Sequence, residues 1–456
     1  MTSHVLVVCG GISGLTAARQ LTTRGYRVTL AEQSRRLGGK IHTRPFSGVS
    51  MEAGAESFLA RRPEAMTLAT ELGLGDDIVY PSGLTSALAV DQRLHDMPIG
   101  TVMGIPADAK TAAHVLSVES QQRIAAEPKD PTPLLSPDDD VAVGDLVAQR
   151  YGSEVAHTLV DPLLGGVYAG SSDGLSLRTT IPALARAAES SHSLAEAVTA
   201  SRPRRGGATG PVFASIRGGL SRLVDRLAAS CGAQVRLGQT VRELARTPSG
   251  WRAVTGPTVR TETIEADAVV LAIPAKPASR LLSGTDTVAA NEIAKLDYAN
   301  VGLVTMAFDD VEFPKRSGLL VPVTEGYHMK AATFLTQKWP HHETRGRHVV
   351  RVSYGRYGDS RVLQREDDSL VLLAVQELAA VSGAKLPAPT EATVTRWGGG
   401  LPQYSPGHSA RTSHVRQRLQ PHPIALAGAA FDGVGIPACI ASGAAAAAVL
   451  AAEVQN

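Results

Sequence analysis

The chain has 456 residues, 43% hydrophobic and 19% charged, with a formal net charge of +2. That length calls for two or three domains, and the balance is that of an ordinary globular protein. The mild charge, with no Lys/Arg block, argues against a nucleic-acid partner, and aromatics at 4% argue against a site of many stacked rings.

The elements read as follows in chain order. Val5-Leu6-Val7-Val8 is a continuous apolar run, as a parallel strand buried on both faces requires. No charged and apolar leader pattern precedes it, so no signal peptide is expected. Ile12 to Thr23 has helical apolar spacing through Leu15, Ala18 and Leu21, Gly25 ends it, and Arg27 to Ala31 is a second strand. Residues 107–200 are rich in Ala, Leu and Ser with helical periodicity, broken by a Pro/Asp-rich loop from Glu127 to Asp140. Ser201 to Gly210 is basic and Gly-rich and reads as a solvated connection. Short strands follow at Val235–Leu237, Val241–Leu244, Trp251–Val254 and Ala268–Ile273, then at Leu303–Phe308 and His348–Tyr354. The alternation suggests one domain interrupted by two insertions. The apolar tract Ala441 to Ala452 is a small-residue helix, too short and too weakly apolar to span a bilayer.

Cys9, Cys231 and Cys439 form no C-x-x-C pair and read as buried residues of a reducing cytosol. The thirteen histidines show no H-x-x-x-H spacing, and His341-His342 sits in a polar loop expected at the surface. No metal site is expected.

Cys9-Gly10-Gly11-Ile12-Ser13-Gly14 stands where G-x-G-x-x-G belongs, between strand and helix. Gly11 lets backbone amides approach a pyrophosphate at the positive helix start, and Gly14 lets the helix pack closely on the strand. Glu32 closes the second strand as a ribose-hydroxyl acceptor should, with Gln33 beside it. Cys9 replaces the first glycine, and its Cβ costs conformational freedom, so some loss of cofactor affinity is expected. Arg36-Leu37-Gly38-Gly39-Lys40 follows, offering close backbone approach and a cation, Arg36 or Lys40, for phosphate.

This order resembles the amine oxidase and protoporphyrinogen oxidase superfamily of flavoproteins. Gly54-Ala55-Glu56-Ser57-Phe58-Leu59-Ala60-Arg61-Arg62-Pro63, Met103–Pro106, Pro162–Gly170, Arg217–Leu220 and Phe431–Pro437 followed by Ser442-Gly443 are similar to its bacterial porphyrinogen oxidase branch. The similarity runs from about Val5 to Ala452. It implies an α/β fold: a discontinuous Rossmann-type FAD domain (1–80, 205–275 and 395–456), a mixed-sheet substrate domain (81–95 and 276–394) and a helical insertion (96–204). It implies non-covalent FAD, contacted by Gly54, Ala55, Glu56 and Ser57, by Val241 at the adenine, by Trp397 near the isoalloxazine, and by Val434, Gly435 and Ile436 through backbone amides.

The substrate implied is a porphyrinogen, with Arg61 and Arg62 as propionate clamps, Arg62 anchoring a propionate, and Glu56 and Tyr168 lining the pocket. The reaction implied is oxygen-dependent, six-electron oxidation of coproporphyrinogen III to coproporphyrin III with three H2O2, in haem biosynthesis. Chemistry at flavin N5 requires no protein nucleophile. Protoporphyrinogen IX, or another substrate of an amine oxidase-superfamily oxidase, is the alternative, and a flavin-free binding protein is the other. A cytoplasmic protein is expected, soluble or loosely membrane-associated, without an integral membrane segment. Pathway logic alone suggests transient contact with the next haem-pathway enzyme.

Overall fold

A computed structural model describes residues 2–129, 131–202, 210–342 and 346–454. Most of the basic, Gly-rich connection expected at 201–210 lies outside the described residues. So does Glu343 of the expected histidine loop.

Five parallel strands form the first sheet, in the order Gln234–Leu237, Arg27–Glu32, His4–Val8, Ala268–Leu271, Ile424–Leu426. The His4–Val8 strand is buried along its whole length, which explains its unbroken apolar run. The helices Ile12–Thr23 and Ile436–Val454 cover one face, with Leu15, Leu21, Ile440 and Leu450 in the core. These two helices cross closely because Gly443 lies against the Ser13 carbonyl, where a Cβ would overlap it. The other face packs on Trp251 and on the helices Ala275–Leu282 and Thr287–Ala294.

The second sheet has seven strands, in the order Glu391–Pro402, Tyr298–Asp309, Arg347–Tyr354, Ala331–Phe334, Gly318–Leu320, Ser86–Val90, Arg93–Asp96. It is antiparallel except where Gly318–Leu320 runs parallel to Ser86–Val90, so it is mixed. The helix Asp367–Ser382 backs it through Leu370, Ala374 and Leu378. A helical layer between 109 and 201 has its own core, which also takes in Leu88 and Tyr404.

One sequence boundary needs correction. Residues 395–402, assigned to the cofactor domain, belong to the strand Glu391–Pro402 and lie at the edge of the second sheet. Their Gly-Gly-Gly run hides the strand, whose register to Tyr298–Asp309 shifts between Ala299 and Val301. Among the described residues no helix is long and apolar enough to cross a membrane, and no group of His, Cys, Asp and Glu is arranged to hold a metal ion.

Candidate active site

The end of the His4–Val8 strand turns into the first helix through Cys9. Its N–H donates to the Ala31 carbonyl at 2.8 Å, and its φ is +93°. That left-handed conformation strains any residue with a Cβ. It cannot relax, because Gly14 packs directly on the Cys9 carbonyl. The cost foreseen for replacing the first glycine is therefore present in the backbone.

Gly11 caps the helix with no side-chain hydrogen bond, and the first turn carries no acid. The leading N–H groups, through Ile12 and Ser13, have no intrahelical acceptor and carry the positive end of the helix dipole. A Cβ built on Gly11 would meet only the Cys9 Sγ, at 3.8 Å, leaving an open cradle. Gly38 lies alongside, its N–H on the Gly10 carbonyl at 2.8 Å, and Gly39 approaches the Gly11 Cα. The donors and clearance fit a pyrophosphate.

Glu32 is buried beside this turn. Its Oε2 accepts from the Gly10 N–H and its Oε1 from the Ser34 N–H, both at 2.7 Å. A carboxylate has about four acceptor positions, so capacity for a ribose hydroxyl remains. The Cys9 thiol also faces Glu32, and burial together with that carboxylate pushes it up to about 12. Gln33 is exposed at the strand end. The chain returns here at Gln239, whose N–H donates to the Glu32 carbonyl at 2.8 Å, bringing half-buried Val241 to the same strand end.

Arg36 does something other than expected. Its guanidinium donates to the carbonyls of Leu37, Gly39 and Ile41, stiffening the Gly-Gly turn from within. Those bonds engage the group expected to face phosphate, and Lys40 is the other nearby cation. Lys40 is reachable by solvent, yet the protein crowding it lowers its pKa. Cys9 and Cys439 both lie within its electrostatic reach.

The segment Glu52–Glu56 crosses in front of Lys40. The Trp397 Nε1–H donates to the Ala53 carbonyl at 2.7 Å, and the Ala55 N–H to the Lys40 carbonyl at 3.0 Å. Gly54 sits between them, where a Cβ would overlap the Lys40 carbonyl and press on the Trp397 ring. Ser57 is half-buried at the end of the segment. Glu56 is held by three donors: Lys338 Nζ at 2.6 Å, Trp339 Nε1 at 2.9 Å, and the Arg351 guanidinium. Glu56, expected to line the pocket or contact the cofactor, is thus an anchored ion-pair partner. Sequence reading missed Lys338, Trp339 and Arg351. The one available signal was an arginine inside the otherwise apolar strand His348-Val-Val-Arg-Val.

The C-terminal segment closes the site. Gly433 and Gly435 adopt φ of +109° and +105°. The Gly435 carbonyl accepts from the Cys439 N–H at 3.0 Å and opens the last helix, with Ile436 buried and Val434 packed on the helical layer. Asp432 is paired with Arg416 at 2.7 Å and takes the Ser442 hydroxyl, fixing the turn. The Cys439 thiol lies 4.0 Å from the Gly433 carbonyl, and Gly443 of the same helix packs on the Ser13 carbonyl, so two helix starts converge here.

Other candidates lie elsewhere. Tyr168 ends the helix Asp161–Tyr168 and meets the Tyr404 ring edge-on at 5.7 Å; burial pushes its phenol up to about 12. Its carbonyl accepts from Gln403 Nε2 at 2.8 Å. Arg61 and Arg62 are exposed, and the Arg62 guanidinium is taken up by Glu64 at 2.6 and 3.3 Å. A propionate at Arg62 would therefore have to compete with Glu64. The histidine loop is also corrected: His341 and His342 are half-buried, 4.1 Å apart, with His341 edge-on to Trp339. Burial lowers His341 to about 4.

Comparison with known proteins agrees with this geometry. The sequence pattern of flavin-containing amine oxidoreductases matches residues 12–451. The chain is 39% identical over 467 aligned positions to the coproporphyrinogen III oxidase of Mycobacterium leprae, covering 100% of both chains. It is 30% identical to that of Bacillus subtilis, over 97% of each. A crystal structure from Exiguobacterium sp. 255-15, put forward as a protoporphyrinogen oxidase, superposes with a TM-score of 0.88 at 30% identity, over 100% of each chain. The chain therefore belongs to the flavin-containing amine oxidoreductase family.

Proposed function

We propose that this protein binds FAD non-covalently and oxidises coproporphyrinogen III to coproporphyrin III in haem biosynthesis, removing six electrons with O2 as acceptor and yielding three H2O2. The observation carrying the cofactor reading is the convergence of an uncapped helix start, the Gly38-Gly39 turn, Glu32 and Lys40 on one cleft. The names of the full-length relatives support the substrate class.

In this reading the amides from Gly10 to Gly14, with Ile12 and Ser13 at the helix start, hold the pyrophosphate. Glu32 and Gln33 take the adenosine ribose, and the backbone of Val241 meets the adenine. Lys40 is the cation beside that pyrophosphate, and Gly54, Ala55, Ser57, Trp397, Val434, Gly435 and Ile436 surround the ring system. Bound flavin would supply the hydride acceptor. The protein's part is to orient the macrocycle and exclude water, with buried Tyr168 as one pocket wall. The Cys9 and Cys439 thiols, both pushed up by burial, stay protonated and are not nucleophiles.

The same reading divides the chain into a cofactor domain (1–80, 205–275 and the residues after Pro402), a substrate domain that takes in Glu391–Pro402, and the helical insertion. A cytoplasmic location and transient contact with the next haem-pathway enzyme belong to the same proposal.

The test combines the visible spectrum of the purified protein with porphyrin fluorescence after coproporphyrinogen III or protoporphyrinogen IX is added in air. A flavin spectrum with faster oxidation of the first substrate is expected. Faster oxidation of the second would favour the reading suggested by the Exiguobacterium structure. A flavin-bound protein inert to both would discard the substrate.

A further inference from the structure

The pentapeptide Glu52–Glu56 is tied at one end within the expected cofactor domain and at the other to parts of the molecule that no motif joins to the cofactor cleft. At one end the Glu52 carboxylate accepts the Leu220 N–H at 2.6 Å and the Thr43 hydroxyl at 3.0 Å. At the other, Glu56 is gripped by Lys338, Trp339 and Arg351, all from the second sheet and its connections. Arg351 spans both ends, since its second nitrogen donates to the Glu52 carbonyl at 2.9 Å. Between the anchors, Ala53, Gly54 and Ala55 make the contacts to Trp397 and Lys40 that shape the cleft.

The grip is buried. Side-chain exposure is 9% for Arg351, 10% for Glu56 and 19% for Lys338. The Lys338 ammonium also lies 5.6 Å from the Phe213 ring centre and 5.4 Å from that of Trp339, so aromatic faces cover it on two sides. A guanidinium bridging a carbonyl and a carboxylate fixes direction as well as distance, which a point charge does not.

We propose that Arg351 and Lys338 are positioning residues that reach from the substrate sheet to hold the Glu52–Glu56 segment against the flavin, and so set flavin affinity. The inference rests on the cofactor reading above. Neither residue needs to touch the flavin. Each acts through Glu56, and the segment it holds transmits the effect to Gly54 and Trp397.

The test is flavin titration of the apoprotein, followed by fluorescence quenching, for the wild type, Arg351→Met, Arg351→Lys and Lys338→Met. Thermal unfolding of each apoprotein runs in parallel. Arg351→Met is expected to weaken flavin binding at least about tenfold, the scale of losing a supporting contact behind a ligand shell. Arg351→Lys keeps the charge but not the bridge, and is expected to recover part of the affinity. Lys338→Met is less buried and serves if Arg351→Met does not fold; it too is expected to weaken binding and to alter the fine structure of the visible flavin band. Wild-type affinity and spectrum in a folded Arg351→Met, or in Lys338→Met, would overturn the positioning role alone. A wild-type apoprotein that takes up no flavin would overturn the cofactor reading and this inference with it.

Discussion

Single residues decide how tightly this cleft is built. Cys9 holds a left-handed backbone that costs an L-residue roughly 1–2 kcal/mol, while glycine loses roughly 0.5–1 kcal/mol more than alanine in chain entropy. Cys9→Gly is therefore expected to raise stability by a net ~0.5–1 kcal/mol, read by thermal unfolding, and to tighten flavin binding. A fall in melting temperature would mean that the thiol facing Glu32 matters more than the strain. Arg62 is the opposite case. With its guanidinium held by Glu64 at the surface, Arg62→Ala is expected to leave the Michaelis constant for the porphyrinogen within about twofold. A tenfold rise would restore it as a propionate anchor.

Glu52 carries a pH signature. Burial raises its carboxyl from 4.5 to about 7, partly offset by the hydrogen bonds from Leu220 and Thr43 and by the charge of Arg351. The native state thus binds a proton more tightly than the unfolded chain does. Its contribution is fully present below about pH 4.5 and is lost as pH rises through about 7. The span is at most ~3 kcal/mol. Glu52→Gln should flatten the dependence of unfolding free energy on pH between 5 and 8, measured by denaturant titration. An unchanged slope would place the titration on another group.

Among the elements, the pair of helices behind the first sheet is held by close glycine contacts. Gly14 packs on the Cys9 carbonyl and Gly443 on the Ser13 carbonyl, so each approach is closer than any Cβ permits. Gly443→Val is expected to push the last helix away from the first and to destabilise by about 2 kcal/mol or more, as overpacking does. Because Ser13 stands in the first turn of the helix proposed to face the pyrophosphate, flavin affinity should fall with stability. A melting temperature within a degree of wild type would show that the crossing yields. The Glu391–Pro402 strand shows the limit of local reading. Its second half alternates in exposure and is paired like any strand, but the Gly-Gly-Gly run inside that half carries no side-chain pattern to reveal it.

For the whole molecule, the chain's own residues between Val5 and Glu32 were enough to locate a strand, a glycine-rich turn, a helix and a second strand. Buried parallel strands, a helix period and glycines at fixed spacing are local properties, legible over about thirty residues. The resemblance along the chain carried the family. The assignments of Arg36, Glu56 and Arg62 needed the tertiary structure, because whether a charged side chain faces a ligand or a neighbour depends on what folding brings within about 3 Å. Arg36 found its own loop's carbonyls, Arg62 found Glu64, and Glu56 found a lysine, a tryptophan and an arginine nearly three hundred residues away. Sequence by itself determined where the glycine-rich turn between strand and helix lies, since backbone conformation and helix starts are short-range. Only the tertiary structure decided which charges guard it, since electrostatic partners are chosen by distance in space, and no spacing in the chain records that distance.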